Sequence, residues 1–159
     1  MNLPPFQVVL DTHRDAVWRF LVASVGHHDA ADCFQETMLS ALRAYPGLRS
    51  DANLRGWLFT IAHHKVIDMV RARDRRAVPT DAPPDAGTDD DVARASVEAD
   101  GDLWAAVGSL PPKQRMAVVA RFVNDLPYAD IAAMAGGTEA AARQNVRAGL
   151  ATLRKVVTS

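Results

Sequence analysis

The sequence predicts an all-α protein in which two small helical domains are joined by an acidic, flexible linker. Apolar residues recur at helical spacing in residues 1–76 and again in residues 103–159. Between them, residues 77–102 carry one arginine against eight acidic residues, and their prolines and aspartates leave little apolar surface to bury. We therefore expect a first domain over residues 1–76, a linker over residues 77–102 and a second domain over residues 103–159.

Three helices are expected in the first domain. The apolar period marks one helix over residues 6–25, ended by Gly26, and a second over residues 29–44, stopped by Pro46. A third helix is expected over residues 52–76. Its inward side is predicted to carry Leu54, Trp57, Leu58 and Ile61.

The second domain is expected to hold four short helices, of which the last two form a helix-turn-helix. Gly136 and Gly137 let the backbone turn without a Cβ penalty, and Thr138 is a good N-cap for the last helix. The first helix of the pair is predicted to bury Tyr128, Ile131, Ala132 and Ala135. The last helix is predicted to bury Ala142, Val146, Gly149, Leu153 and Val157. The helix before the pair is predicted to turn inward Met116, Val119, Phe122 and Val123.

The outward face of the last helix is basic and low in bulk. It carries Arg143, Gln144, Arg147 and Arg154, with Ala140 and Ala151 between them. Donors on a low helix surface can reach base edges and phosphates in a DNA major groove. The alternative is an ordinary αα-hairpin with a solvated basic face, and the segment alone leaves both interpretations open.

The second helix has an unusual outward face. It groups Asp32, Gln35, Glu36, Leu39 and Arg43. At 100° per residue, Leu39 lies about 160° from the centre of the apolar stripe, so it is predicted to be exposed. A single exposed leucine is ordinary on a protein surface, whereas a leucine framed by acids and an amide is typical of a protein-docking patch.

Four arginines crowd the end of the third helix: Arg71, Arg73, Arg75 and Arg76. Cations at a helix C-terminus interact favourably with the macrodipole, by about 0.3–1 kcal/mol, but four in six residues exceed that need. Together with Phe59 they suggest a basic groove with an aromatic ring on which a base could stack. The adjacent His63 and His64 lack the spacing and the companion ligands of a zinc site, and are interpreted as polar surface or nucleic-acid contacts.

Composition excludes several classes of function. The net charge is −1, but residues 1–76 carry +2, residues 77–102 carry −7 and residues 103–159 carry +4, which favours contact between nucleic acid and the two ends. Cys33 is the only cysteine, so no intrachain disulfide can form. Neither a signal peptide nor an apolar run of about 18 residues is present, so we expect a cytoplasmic protein without membrane insertion. No catalytic triad, phosphate loop or metal-ligand set is found, so neither an enzyme nor a cofactor is expected.

Three motifs in order resemble the extracytoplasmic-function (ECF, group 4) sigma factors of the bacterial sigma-70 family, the kind with only regions 2 and 4. Residues 29–38 are similar to the family's acidic core-binding segment, D-x-x-D-x-x-Q-E-T. Residues 54–62, Leu-Arg-Gly-Trp-Leu-Phe-Thr-Ile-Ala, are similar to its −10 segment. Residues 110–115 and 126–132 are similar to the L-P-x-x-x-R and L-x-Y-x-E-I-A patterns of region 4.

The resemblance implies a factor that directs polymerase to promoters without catalysis. It implies binding of the core polymerase, at the largest-subunit clamp and the flap, through Asp32, Gln35, Glu36 and Leu39. It implies contacts to melted −10 DNA by Trp57, Phe59, His63, His64, Lys65, Arg71, Arg73, Arg75 and Arg76. It implies contacts to −35 duplex by Thr138, Ala140, Arg143, Gln144 and Arg147. An anti-sigma factor is a further candidate partner, and the linker is expected to follow the polymerase's RNA exit path.

The sequence also departs from the family pattern. His63 and His64 stand where the family usually has Arg-Asn, and Asn145 and Leu150 replace two customary arginines of the last helix. Fewer phosphate contacts imply weaker −35 binding or a different −35 sequence. The alternative function is a sigma-like helix-turn-helix regulator that binds DNA but never joins the polymerase. In either case the linker's composition predicts two separately folded domains whose mutual arrangement varies.

Overall fold

The computed structural model describes residues 3–49, 52–76 and 101–158, and within these ranges the regular structure is entirely helical. The predicted linker falls almost wholly outside the described residues. The helices are α1 (Phe6–Ala44), followed by a 3₁₀ turn (Tyr45–Gly47), α2 (Leu54–Arg76), α3 (Gly101–Ser109), α4 (Pro112–Phe122), α5 (Tyr128–Ala135) and α6 (Glu139–Thr158). The all-α prediction and the four helices of the second domain are confirmed.

Helix α1 is broken at Gly26, as the sequence predicts. Gly26 has φ 85° and ψ 165°, which an L-residue with a Cβ rarely adopts, so the chain changes direction there. We call residues 6–25 the proximal arm of α1 and residues 27–44 the distal arm. The break lets both arms pack on α2.

The first domain buries one face of each arm against α2. The fully or nearly buried residues are Val17, Phe20, Leu21, Ala30, Cys33, Met38, Ala41, Leu58, Phe59, Ala62 and Val66. Phe20 and Phe59 meet edge to face with their ring centroids 5.5 Å apart, a favourable geometry for two aromatic rings. The inward side of α2 therefore differs from the prediction, because Phe59 is buried whereas Trp57 is only half-buried.

The second domain is organised around close contact between α4 and α6. A Cβ built on Gly149 would lie 2.6 Å from Cγ2 of Val118, so only glycine allows the two helices to approach this closely. The α6 residues Ala142, Val146 and Leu153 are buried, as predicted. Phe122, by contrast, is 59% exposed, so its predicted inward position is wrong.

The turn between α5 and α6 has the predicted chemistry. Gly136 adopts the left-handed conformation with φ 69°, and the Gly137 amide donates to the Ala132 carbonyl at 2.9 Å, which closes the C-terminus of α5. The Thr138 hydroxyl accepts a hydrogen bond from the Ala141 amide at 3.1 Å and caps α6. The stripe of α5 keeps Ile131 and Ala132 but differs elsewhere, because Met134 is buried, Ala135 is exposed and Tyr128 is only half-buried.

The two domains pack directly on one another. Asp130 on α5 is only 4% exposed, and its carboxylate accepts from Asn53 Nδ2 at 2.7 Å and pairs with Arg55 at 3.2 Å. Asn124, in the turn before α5, donates to the carbonyl of Ala16 on α1 at 2.7 Å. One continuous cluster of buried apolar side chains runs through both domains. The expectation of a variable arrangement is thus corrected, because polar contacts and apolar burial both join the domains.

Candidate nucleic-acid interface

The outward side of α6 presents the predicted DNA-contacting residues together. All are exposed: Thr138, Ala140, Arg143, Gln144 and Arg147. We call these five residues the recognition face. The four of them that lie on α6 recur at helical spacing opposite its buried stripe, so the burial of that stripe turns them to solvent, while Thr138 precedes the helix as its cap. Two arginines, an amide and little bulk give this face donors for phosphates and base edges.

Arg143 is held more firmly than its exposure suggests. Its guanidinium lies over the ring of Tyr128, with Cζ 5.0 Å from the ring centroid, and its Nη2 lies 3.7 Å from Oε1 of Glu139. Arg121 on α4 lies over the same ring at 4.7 Å. Tyr128, predicted as an ordinary buried residue, is in fact a half-buried platform for two cations.

The distal arm of α1 exposes the predicted acidic side chains together with leucine. Asp32, Gln35 and Glu36 are exposed, and Leu39 is 46% exposed. Leu42, which the sequence analysis missed, is 51% exposed and follows Leu39 by three residues, so the two leucines lie about 60° apart on one side of the helix. We call Asp32, Gln35, Glu36, Leu39 and Leu42 the docking face. The helical spacing of the two leucines was the signal that could have found Leu42.

A shallow cleft separates the docking face from α2. Its lining consists of Cys33, Glu36, Lys65, Asp68 and Met69. Cys33 Sγ lies 3.5 Å from the sulfur of Met69, and burial, with lesser effects of Asp32 and Glu36, raises the pKa of the thiol to about 11. The thiol is therefore protonated at neutral pH and packs as a small apolar group.

Helix α2 places the predicted −10 residues in two clusters rather than one. Trp57, near its first turn, is half-buried and packs on Tyr45 with the ring centroids 6.1 Å apart. Arg71, 14 residues later and about 21 Å along the axis, begins the arginine cluster of the last turns. Within that cluster Arg73 forms an ion pair with Asp29 on α1. The remaining arginines, Arg71, Arg75 and Arg76, are exposed.

Two of the predicted −10 residues occupy interior positions. Phe59 is fully buried, so its predicted role as a stacking platform is corrected: in this structure the ring serves the core. His63 is largely buried, and desolvation, with a lesser effect of His64, lowers its pKa to about 4. Its Nδ1 is buried without a hydrogen-bond partner among the described residues. His63 is therefore neutral at pH 7, whereas His64 is exposed.

The junction between the domains involves residues that the sequence analysis missed. Asn53 Oδ1 accepts from the Gly56 amide at 3.1 Å and so caps α2, while the Asn53 amide group donates to Asp130. The Asp130 carboxylate thereby lies at the positive end of the α2 dipole, where a negative charge is favoured. A Cβ on Gly56 would lie 3.1 Å from Oδ1 of Asp130, so the junction leaves little room for a side chain there.

Two further kinds of site are absent from the part of the chain that the structure describes. No group of three or more histidine, cysteine or acidic side chains could hold a metal ion. No described helix combines the length and apolarity required to cross a bilayer. The described residues thus offer two chemically distinct exposed faces and an arginine cluster as candidate sites.

Comparison with known families matches both domains in order. The family model "Sigma-70 region 2" matches residues 9–76, and "Sigma-70, region 4" matches residues 100–153. The chain is similar to the ECF RNA polymerase sigma factor SigD of Mycobacterium bovis, with 34% identity over 145 residues, covering 85% of this chain and 68% of SigD. It is also similar to SigE of Mycolicibacterium smegmatis, with 31% identity over 159 residues, covering 96% of this chain.

The chain is shorter than these relatives. It spans 61% of SigE, and 65% of the probable RNA polymerase sigma-C factor of Mycobacterium bovis, to which it is 33% identical over 121 residues.

Two solved structures share the fold. The sigma factor RpoE of Bartonella quintana, solved in complex with the anti-sigma factor NepR, has a TM-score of 0.78 and 22% identity, with 98% of each chain covered. CnrH, solved with the cytosolic domain of CnrY, has a TM-score of 0.75 and 20% identity, with 96% of this chain and 87% of CnrH covered. The fold, both family models and the identity to SigD agree: the chain belongs to the ECF RNA polymerase sigma factors of the sigma-70 family.

Proposed function

We propose that this chain directs core RNA polymerase to specific promoters by binding −35 duplex with its second domain and melted −10 DNA with its first. The observation that carries the proposal is the recognition face of α6, where every predicted contact residue is exposed opposite a buried stripe. The proposed role is binding without catalysis, in the cytoplasm where transcription takes place.

The docking face supports a protein partner rather than DNA. Leu39 and Leu42 together form an apolar centre, and Asp32 and Glu36 would repel phosphate while steering a basic protein surface. We assign this face to the clamp of the polymerase's largest subunit, as the family motif over residues 29–38 implies. Contact between the second domain and the flap is part of the same proposal.

The −10 contact is assigned to the exposed parts of α2. Trp57 is only half-buried, and His64, Arg71, Arg75 and Arg76 are exposed. Stacking an unpaired base on an aromatic ring is worth about 1–3 kcal/mol, which offsets the few kcal/mol needed to unstack it from the duplex. Phe59 is left out of this assignment because it is buried.

The proposal is tested by reconstitution. The purified chain should co-purify with core polymerase, and the pair should initiate at defined sites on a promoter library where neither component does so alone. DNA binding without core association would instead identify a helix-turn-helix regulator. Association with core and no site-specific initiation would remove the promoter part of the proposal.

An anti-sigma partner is a separate proposal. RpoE of Bartonella quintana, which shares the fold, was solved with such a partner. Affinity purification of the chain from its own cells, before and after stress, checks for a bound inhibitor. A chain recovered only in free form or with core polymerase would argue against it.

A further inference from the structure

Tyr128 lies where three helices meet. It is the first residue of α5, and its half-buried ring receives one guanidinium from α4 and one from α6. The distances from guanidinium carbon to ring centroid are 4.7 Å for Arg121 and 5.0 Å for Arg143, both within the range of a cation–π interaction. The ring therefore connects the body of the second domain to its recognition face.

The Arg121 side is fixed. Arg121 Nη1 donates to the carbonyl of Leu126 at 3.0 Å, and Leu126 is only 1% exposed. The guanidinium of Arg121 is thus hydrogen-bonded to the turn between α4 and α5 while it lies over the ring. This contact restrains the ring that Arg143 uses.

Arg143 is the more exposed of the two arginines. Its side chain is 54% exposed, and a long exposed arginine samples many rotamers that binding must restrict. Its guanidinium also lies near Glu139, one helical turn earlier and equally exposed, and such an exposed ion pair restrains little. The ring is therefore the principal restraint on the guanidinium among these contacts.

We infer that Tyr128 is a positioning residue for promoter recognition: its ring holds the Arg143 guanidinium in the orientation in which it meets the −35 duplex. This inference rests on the proposed function. Arg143 makes the DNA contact, and Tyr128 acts through it. An attraction of this kind at a half-exposed site changes an equilibrium constant by about two- to fivefold.

Removing the ring tests the inference. The probe is a duplex selected from a randomised pool with the native chain. Tyr128→Leu should weaken binding to this duplex about two- to fivefold and relax selectivity at the base pair that Arg143→Ala also relaxes. Tyr128→Phe, which keeps the ring face, should retain native affinity and selectivity.

A double-mutant cycle separates positioning from general packing. Adding Tyr128→Leu to Arg143→Ala should have little further effect, whereas adding Tyr128→Leu to Arg147→Ala should weaken binding by the same factor as it does in the native chain. Full additivity between Tyr128→Leu and Arg143→Ala would overturn the inference, as would a Tyr128→Phe variant that behaves like Tyr128→Leu.

A fluorinated series covers the case in which Tyr128→Leu fails to fold. Phenylalanines with increasing ring fluorination at position 128 keep the shape while weakening the negative face of the ring. Binding should fall stepwise with fluorination, and a flat series would overturn the inference. If Arg143→Ala and Arg147→Ala both leave duplex binding unchanged, the −35 part of the proposed function fails. If they weaken binding while the position-128 series has no effect, only the Tyr128 inference fails.

Discussion

The distal arm of α1 and helix α6 are both amphipathic helices with one buried stripe, yet their outward faces have opposite chemistry. The docking face combines acids with Leu39 and Leu42, whereas the recognition face combines arginines with alanine. An apolar centre gains free energy when a partner protein removes it from water, and its surrounding charges set specificity. Arginines among small side chains gain most binding free energy from contacts with phosphates and base edges. The two faces therefore favour different classes of partner, a protein for the docking face and DNA for the recognition face, as the proposed function requires.

The largest expected effect comes from breaking the apolar centre of the docking face. Leu39→Asp should lower affinity for core polymerase roughly 30-fold or more, because a carboxylate would be placed in the part of the interface that excludes water. Binding of the selected −35 duplex should stay native. Titration of labelled chain with core polymerase measures the effect.

Val8→Asp is the matched control for that experiment, since Val8 is 49% exposed on the proximal arm, away from the docking face. Circular dichroism should show all variants folded. Native core affinity for a folded Leu39→Asp variant would contradict the assignment of this face.

The second prediction concerns His63, a largely buried residue of α2. Because its folded pKa of about 4 lies below the ordinary 6.5, the unfolded chain binds the proton more tightly. The stabilising effect of the neutral ring is complete above about pH 6.5 and is lost as the pH falls toward 4. Through this one group, the free energy of unfolding should fall by about 2 kcal/mol from about pH 7.5 to about pH 5.

Urea unfolding at these two pH values checks this. His63→Gln should lose about 2 kcal/mol less on acidification than the native chain, while His64→Gln, at an exposed position, should behave like the native chain. A native-like pH dependence in His63→Gln would place the ring at the surface and restore it to the −10 contacts.

The third prediction concerns the junction between the two domains that carry the docking face and the recognition face. Asp130→Asn puts an amide N–H₂ where a carboxylate oxygen accepts from Arg55 or Asn53, so a donor meets a donor. The packing of the two domains on each other should become less stable by about 1–2 kcal/mol, and small-angle scattering should show a more extended chain. Asp125→Asn, the same change at an exposed position five residues earlier, should leave the scattering profile native.

The smallest effect is expected for one phosphate contact on the recognition face. Arg147→Ala should weaken −35 duplex binding at low salt and make the slope of log affinity against log salt shallower by about 0.9. Core affinity should not change. Lys155→Ala, in the last turn of α6 and off the recognition face, serves as the control. A loss of affinity with an unchanged slope would assign Arg147 to a base edge instead.

Sequence alone predicts the parts of this molecule that local chemistry determines. The glycine turn at Gly136, the Thr138 cap and the buried stripe of α6 depend on residues within a few positions of each other, so their pattern is visible in the chain. The side of α2 that turns inward could not be predicted in this way, because the helix carries apolar residues on all of its sides. Trp57 and Phe59 are two residues apart, about 200° around the helix, so turning one inward turns the other outward.

Long-range polar partners were also beyond the sequence pattern. Asp130 resembles any acid in the first turn of a helix, and its partners Asn53 and Arg55 lie 77 and 75 residues away. The prediction of independently moving domains followed from the linker's composition alone. Composition carries no information about the contacts that the folded domains make directly with each other.

Under the proposed function, the contact between Gly149 and Val118 has a consequence for how promoter preference can change. The close approach fixes α6 through its inner side, so substitutions at Ala140, Arg143, Gln144 and Arg147 alter what the helix reads without altering how it is seated. Surface substitutions of this kind change stability by only about 0.5 kcal/mol. If α6 reads the −35 duplex as proposed, a few outward substitutions can change its promoter preference while the packing of the helix stays the same.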